Sequence, residues 1–245
     1  MERRTRMTAW MSIGSTYTYL TAQRMRASLR AAGVRESEVS VRPFSVREVM
    51  VAQRNVPFPA FKVRPGSCSH SLPSSLPHSL TRSLTHSLTH SLKEAKVKHM
   101  WRDIQRRAAR YALEVPAVVP VPGYPLASFD EANLVGVVAN EDGFYWEYLK
   151  AAYRLWFIRS EPPGTDAAVR AALAELGKDA DAIIARSKTE EVRRVYEANT
   201  AAAMEAGVFG APSFSVGEEL FWGDVRSAHT RAAVPSSPAE APVSY

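Results

Sequence analysis

The chain is poor in cysteine and in long apolar runs. Its 245 residues include a single cysteine, Cys68, whereas disulfide exchange within one chain needs two thiols, usually spaced Cys-x-x-Cys at a helix N-terminus. A dithiol mechanism is therefore excluded, and any sulfur chemistry must use a thiol supplied from outside. No apolar stretch approaches the roughly 18 residues that span a membrane, and the arginine-rich residues 1–7 are not followed by a signal-peptide core. We expect a soluble cytoplasmic protein with no membrane partner, and a mitochondrial or peroxisomal location stays open.

The net charge of +6 is compatible with nucleic-acid binding, but the distribution of the charge argues against it. Basic and acidic side chains alternate along predicted helices, as between Arg186 and Arg194, which is typical of a solvated face. The densest basic run, Lys93 to Arg110, carries apolar residues at helical spacing, which predicts that one of its sides lies in the core. We therefore expect no nucleic-acid partner; an anionic small molecule needs only a few of these cations.

Hydrophobic periodicity predicts an α/β protein whose two ends, 8–62 and 195–228, complete one open sheet. Residues 93–194 between them form a predicted helical insertion. The predicted elements are strands 8–13, 39–44, 213–216 and 218–222, and helices 16–32, 93–113, 129–140, 142–158, 165–177, 179–187 and 195–206.

Residues 65–92 do not fit this plan. Leucine recurs every four residues from Leu72 to Leu92, and on a helix each such step advances about 40° around the surface instead of forming one stripe. Because serine is abundant and carboxylates are absent, we predict a disordered insertion here, and a disordered tail at 229–245. His86 and His90 lie four residues apart, but without a third ligand of fixed spacing we predict no metal site.

Ser15 stands where the first predicted strand gives way to the first predicted helix. Exposed backbone N–H groups and the helix dipole stabilise an anion at such a terminus, and a hydroxyl donates one more hydrogen bond. A thiolate is one such anion. The alternative is that Ser15 or Thr16 is simply an N-cap, because short hydroxyl side chains are favoured there for structural reasons alone.

A second segment, 207–216, changes the balance between these interpretations. It predicts a turn followed by Pro212, which opens a short alternating strand. Together with the segment around Ser15, it resembles the glutathione-using branch of the thioredoxin superfamily, namely 2-hydroxychromene-2-carboxylate isomerases and kappa-class glutathione transferases. Four more segments are similar to family segments in family order: Arg42-Pro43-Phe44, Asn55-Val56-Pro57, Lys96 to Asp103, and Tyr153 to Phe157.

This resemblance covers most of the chain and implies a fold and a cofactor. The implied fold is α/β, a thioredoxin-like sheet with an all-helical domain inserted after the second strand, as in DsbA-like proteins. The implied source of the missing thiol is glutathione.

The resemblance also implies roles for particular residues. Ser15 matches the catalytic serine, whose hydroxyl hydrogen-bonds the glutathione sulfur. Pro212 matches a cis-proline that turns the backbone of Ala211 toward the cysteinyl part of glutathione, and a trans proline at the start of an edge strand is the alternative. Asn55 and Lys96 match positions near glutathione and the second substrate, and an exposed helix lysine is the alternative for Lys96.

The segment from Phe221 to Arg226 resembles the family's Gly-x-Asp-Arg turn, which binds the γ-glutamyl end of glutathione. Here the match slips, because Val225 occupies the place of the aspartate and Asp224 stands one residue early. Asp224 is either a displaced contact to glutathione or an ordinary turn aspartate.

From this resemblance we expect a glutathione-dependent isomerase of aromatic carboxylates like 2-hydroxychromene-2-carboxylate. A kappa-like transferase that conjugates glutathione to electrophiles is the second hypothesis. A degenerate, non-catalytic thioredoxin-like protein is the third, motivated by the insertion and by Val225. The expected partner is a small aromatic or electrophilic molecule, and a homodimer stays open.

Overall fold

The computed structural model describes residues 7–54, 78–127 and 129–224, with the backbone alone for 78–93. Its strands are β1 Met7–Met11, β2 Val39–Pro43, β3 Ser213–Val216 and β4 Glu219–Trp222, and its helices are α1 Thr18–Ala31, α2 Val46–Ala52, α3 His78–Arg110, α4 Asp130–Glu141, α5 Tyr145–Arg159, α6 Asp166–Glu175, α7 Ala180–Ser187 and α8 Glu190–Glu205. Within these ranges, no helix is both long enough and apolar enough to cross a membrane.

The four strands form one mixed sheet in the order β2-β1-β3-β4. β1 runs parallel to β2 and antiparallel to β3, so that Ala9 lies between Val41 and Phe214. β3 and β4 form the predicted hairpin, which turns at Gly217 with a φ of 57°, a left-handed conformation that favours glycine. Because β1 lies inside the sheet, the loop that follows it, which carries Ser15, emerges from the middle of the sheet.

The helices between β2 and β3 share one continuous core with the sheet. α1 packs against α5, where Tyr19 stacks on Phe157 with the ring centroids 4.5 Å apart. Trp101 of α3 contacts the same Phe157 at 5.4 Å. The predicted helical insertion therefore lies directly against the first helix and the loop that precedes it.

The basic run that ends α3 has one apolar side, as its spacing predicts. Its buried residues are Val97, Trp101, Ile104 and Ala108. They recur three or four residues apart, which places them on one face of the helix. The described basic side chains occupy the other positions of the helix, which are exposed or, at Arg107, partly exposed.

α2 and the first part of α3 were not predicted, and α8 begins at Glu190 instead of the predicted 195. α2 was missed because seven residues are too few to show a helical period, although Ser45 caps it by accepting a hydrogen bond from the N–H of Glu48. The predicted disordered insertion is helical over 78–92, the first part of α3, while 65–77 and the predicted tail 229–245 lie outside the described residues. The composition of this segment does not predict the helix, because extending an existing helix adds one hydrogen bond per residue and does not need the unfavourable step of nucleation.

Candidate active site

Ser15 lies beside the turn that leads into β3. Its hydroxyl donates a hydrogen bond to the carbonyl oxygen of Ala211 with an Oγ–O distance of 2.5 Å. The Ala211–Pro212 peptide bond is cis, which agrees with the geometry expected from the resemblance. Ser15 is partly buried and Ala211 is buried, so the contact joins two loops at the edge of the core. The structure thus brings together three of the predicted site residues.

The N-cap interpretation of Ser15 and Thr16 is wrong. α1 begins at Thr18, three residues after Ser15, and its N-cap residue is Tyr17, which makes no capping hydrogen bond through its side chain. Thr16 instead directs its hydroxyl to the sulfur of Met100, at 3.0 Å. Ser15 therefore points its hydroxyl across the structure, which helix capping does not require.

Two residues of the helical insertion hold the loop that carries Ser15. Asn133 of α4 accepts a hydrogen bond from the Ile13 N–H at 2.8 Å and donates to the Ile13 carbonyl at 3.0 Å. Tyr153 of α5 donates to the Ser15 carbonyl at 2.6 Å and accepts from the Gly14 N–H at 3.3 Å. The sequence predicted neither contact, although an amide inside the apolar pattern of α4 signals a buried partner.

Gly14 is required by the shape of this loop. Its φ of 127° lies where side chains are rarely tolerated, and an added Cβ would sit 3.0 Å from the Phe129 ring. The loop therefore turns with a backbone conformation and a close approach that only glycine combines.

The turn before Pro212 is braced from the other side. Ser213 donates its hydroxyl to the Gly210 carbonyl at 2.8 Å, and the Gly223 N–H donates to the Pro212 carbonyl at 2.9 Å. The Trp222 ring lies against Gly210, where an added Cβ would be 2.6 Å from the indole nitrogen. These contacts define the position of the Ala211 carbonyl.

Asp224 lies in a buried ion pair, which neither sequence interpretation predicted. It is 1% exposed, and its carboxylate lies 2.6 Å from Arg107 of α3 and 3.8 Å from Arg24 of α1. Burial raises the pKa of Asp224, and the two guanidinium groups act in the opposite direction. Its carboxylate is thus engaged by two cations of the protein itself.

The same arginine continues this network toward the first helix. Arg107 also pairs with Asp103 at 2.8 Å, and Asp103 accepts a hydrogen bond from the Tyr17 hydroxyl at 3.1 Å. Burial, followed by the charge of Asp103, raises the pKa of Tyr17 to about 12. Tyr17 is therefore a neutral donor at physiological pH, two residues from Ser15.

The other two predicted site residues are Lys96 and Asn55. Lys96 is exposed on α3, one turn before Met100, whose sulfur contacts Thr16. Side chains four residues apart lie on one helix face, so Lys96 is on the side of α3 that leads to the Ser15 loop. Asn55 lies outside the described residues.

Nothing in the described part of the chain forms a group of three or more His, Cys, Asp or Glu residues suited to a metal ion. The side chains of His86 and His90 are not among those described. A shallow depression is lined by residues of α4, α6 and α7, among them Leu134, Val169 and Ile184. It belongs to the helical insertion and does not include Ser15 or Ala211.

This architecture matches a known family. A model described as a DSBA-like thioredoxin domain matches residues 6–234. The chain belongs to this family. The fold expected from the sequence, a DSBA-like thioredoxin sheet with a helical insertion, is thereby confirmed.

Two comparisons bear out the resemblance more narrowly. The chain is 32% identical over 134 residues to a 2-hydroxychromene-2-carboxylate isomerase from Sphingobium xenophagum, in an alignment that spans 54% of this chain and 64% of that protein. The solved structure of a 2-hydroxychromene-2-carboxylate isomerase superposes with a TM-score of 0.66 at 20% identity, over 93% of each chain. The structural comparison, at 20% identity, shows a shared fold. The sequence comparison shows that part of this DSBA-like chain is similar to a protein named as an isomerase.

Proposed function

We propose that this DSBA-like protein is a glutathione-dependent isomerase of aromatic carboxylates similar to 2-hydroxychromene-2-carboxylate, in which Ser15 stabilises the glutathione thiolate. The observation that carries the proposal is the 2.5 Å hydrogen bond from the Ser15 hydroxyl to the Ala211 carbonyl. A donor and a backbone acceptor that meet beside Pro212 suit a ligand that combines a sulfur with a peptide backbone. The similarity to proteins named as isomerases supports the reaction class.

The thiol end of glutathione fits the residues present. A serine hydroxyl can donate one hydrogen bond. Without a ligand, Ser15 donates it to the Ala211 carbonyl. A peptide N–H of the ligand that donates to the Ala211 carbonyl would replace this bond, so that the hydroxyl turns to the sulfur. Ligand binding and activation of the donor are then one exchange of hydrogen bonds.

The strength of that donor is adequate. A cysteine thiol has a pKa of about 8.5, and lowering it by two units takes about 2.7 kcal/mol. A hydroxyl that donates to a charged acceptor supplies about 1.5–3 kcal/mol, and a helix terminus about 0.3–1 kcal/mol. The N–H groups of Thr18 and Tyr19 already donate to the carbonyls of Ser15 and Thr16. The Ser15 hydroxyl therefore supplies the larger share.

The charged ends of glutathione have different support. Lys96 is exposed on the face of α3 that leads to the site, and an ammonium there suits a carboxylate of glutathione or of the substrate. Asp224 is less suited to the γ-glutamyl amine, because it is 1% exposed and paired with Arg107. In our proposal Asp224 holds the end of β4 in place and makes no direct contact with the ligand.

The chain's own residues orient the reaction rather than carry a covalent intermediate. Bound glutathione would supply a thiolate that adds reversibly to an unsaturated carbon of the substrate and is released unchanged. Ser15 donates to the sulfur whenever it is charged, Ala211 holds the adjoining backbone, and Lys96 attracts the carboxylate. Because Cys68 is the chain's single cysteine, no pair of protein thiols competes for this chemistry.

The purified full chain, with reduced glutathione and 2-hydroxychromene-2-carboxylate, provides the test. We expect binding of glutathione by calorimetry, and many isomerised product molecules per glutathione with the free thiol recovered quantitatively. A glutathione adduct in the mass spectrum of the products would overturn the isomerase in favour of a transferase. A cooperative melt without glutathione binding would favour the non-catalytic alternative. Homodimer formation, cellular location and the absence of a nucleic-acid partner stay predictions from the sequence.

A further inference from the structure

We propose that Asn133 and Tyr153, both from the helical insertion, are positioning residues that set the Ser15 hydroxyl against Ala211. This inference rests on the proposed function of Ser15. It assigns to the insertion a direct part in the site, since α4 and α5 hold the backbone whose last residue carries the donor.

Asn133 completes the hydrogen bonding of one whole residue of the loop. Its side-chain oxygen accepts from the Ile13 N–H, and its nitrogen donates to the Ile13 carbonyl and to the Phe129 carbonyl, each at 3.0 Å. The residue is 1% exposed. Buried polar groups are costly unless they are paired, so an amide in the apolar interior indicates a partner that only an amide satisfies. Aspartate has the same shape but no N–H to donate.

Tyr153 holds the next two residues. Its hydroxyl lies 2.6 Å from the Ser15 carbonyl and 3.2 Å from the Ser12 carbonyl, and it accepts from the Gly14 N–H at 3.3 Å. One phenolic proton serves one carbonyl best, and the shorter distance selects Ser15. Complete burial raises the pKa of Tyr153 above its usual range, so it remains a protonated donor. Its contribution is therefore geometric and not that of an acid or base near neutral pH.

Ser15 is held from two sides by two hydrogen bonds. Its backbone carbonyl is held by Tyr153 from the helical insertion, and its side chain reaches Ala211 at the sheet. A hydroxyl that must lie within hydrogen-bond distance of a reacting sulfur tolerates little displacement, and a misplacement of about 1 Å can cost about 100-fold in rate. Loss of the Tyr153 hydroxyl releases the backbone of the Ser15 loop and leaves the turn that carries Ala211 unchanged.

Helix α5 offers a matched control. Tyr148 is buried like Tyr153, and its hydroxyl donates to a backbone carbonyl, that of Ala132, at 3.1 Å. Tyr148→Phe therefore removes the same group and a donor hydrogen bond of the same kind, and none of the hydrogen bonds described for the Ser15 loop involves Tyr148. Any effect beyond that of Tyr148→Phe reports on the position of Ser15.

The experiment compares the full-length wild-type chain with Tyr153→Phe and Tyr148→Phe, using reduced glutathione and 2-hydroxychromene-2-carboxylate. For Tyr153→Phe we expect kcat to fall about ten- to 100-fold, the KM for glutathione to change little, and the acid limb of the pH profile to move up by about one pH unit. For Tyr148→Phe we expect an unchanged acid limb. Equal profiles for the two variants would overturn the positioning role.

A second measurement does not depend on glutathione. Amide exchange followed by NMR should show faster exchange of the Gly14 N–H in Tyr153→Phe and unchanged exchange in Tyr148→Phe. Should Tyr153→Phe not fold, Asn133→Ala takes its place, with the Ile13 N–H as the reporter. Wild-type protein that fails to turn over the substrate sinks the proposed function and leaves the exchange rates to decide the positioning. Unchanged exchange in the loop contradicts the positioning alone.

Discussion

The guanidinium of Arg107 lies 2.6 Å from the carboxylate of Asp224 and ties the last turn of α3 to the end of β4. Arg107 is partly exposed, whereas Asp224 is buried, so the pair crosses from the surface into the core. It connects the helical insertion to the strand that braces the Ala211 turn. A residue that the sequence places in a candidate ligand-binding turn thus has a structural partner.

Replacing this arginine should destabilise the fold in a pH-dependent manner. We expect Arg107→Met to lower the free energy of unfolding by about 2–4 kcal/mol near neutral pH, because it weakens the compensation of a buried carboxylate. Burial raises the folded-state pKa of Asp224, and Arg107 lowers it. Without Arg107 that pKa rises further, so protonation of Asp224 stabilises the folded state up to a higher pH.

The loss should therefore shrink as the pH falls from neutral toward about 4, because protonation of the carboxyl removes the charge that Arg107 compensates. Urea unfolding at both pH values measures it. Arg186→Met is the control, because Arg186 pairs with Glu141 and Asp142 at the surface and should cost less than about 1 kcal/mol. A loss that grows toward acidic pH would contradict the assignment to Asp224.

Ser15→Ala should weaken thiolate formation while preserving the fold. Loss of a hydroxyl donor removes about 1.5–3 kcal/mol from the charged form alone, so the pKa of the bound thiol rises by about one to two units. We expect kcat/KM at neutral pH to drop at least about tenfold and its acid limb to move upward. Ser187→Ala is the control, because Ser187 is a buried serine whose hydroxyl donates to the Ile184 carbonyl at 2.9 Å. In this variant the acid limb of the pH profile should not move. Unchanged kinetics in Ser15→Ala would remove Ser15 from the mechanism.

Gly14→Ala should destabilise the loop more than an ordinary loss of glycine. Gly14 combines a φ of 127° with a Phe129 ring 3.0 Å from the added Cβ, and backbone strain of this kind costs about 1–3 kcal/mol. Gly33→Ala is the control, since Gly33 has a φ of 65° and open space around its added Cβ. Thermal melts of the two variants give the comparison. A smaller loss at Gly14 than at Gly33 would show that the ring moves aside freely.

Gly210 and Trp222 should show non-additive effects. In Gly210→Ala the new Cβ would lie 2.6 Å from the indole nitrogen of Trp222, so the ring must leave the Ala211 turn. Trp222→Leu removes the obstacle, and the double variant should bind glutathione better than the sum of the single losses predicts, by about 0.5–1 kcal/mol. Calorimetric titrations of the three variants measure this coupling. Simple additivity would mean that the ring does not brace the turn.

Much of the fold follows from patterns that neighbouring residues carry. β3 has the predicted bounds of 213–216, and β2 differs from its prediction by one residue at its end, because alternation and turn residues mark short strands locally. α3 beyond residue 93 buries the face that its spacing predicts. The extension to His78 and the short α2 were missed, since their formation depends on a neighbouring helix or on packing rather than on a strong period of their own.

The site was predictable only in part. A hydroxyl after the first strand and a proline before the third were visible in the sequence, and the resemblance named them together. An amide inside the apolar pattern of α4 signals a buried partner, but the sequence does not show which partner Asn133 or Tyr153 contacts, because both contact backbone atoms of a loop more than 100 residues away. Nor does the sequence show the ion pair of Asp224 with Arg107, which joins residues 117 positions apart.

The sequence by itself determined that no pair of thiols exists, where the strands and most helices lie, and which hydroxyl follows the first strand, because these depend on residue type and short-range periodicity. The tertiary structure alone decided that Ser15 faces Ala211, that Asn133 and Tyr153 hold its loop, and that Asp224 is buried beside Arg107. Such contacts join distant parts of the chain, and only the closure of the sheet and the packing of the insertion bring them within hydrogen-bond distance.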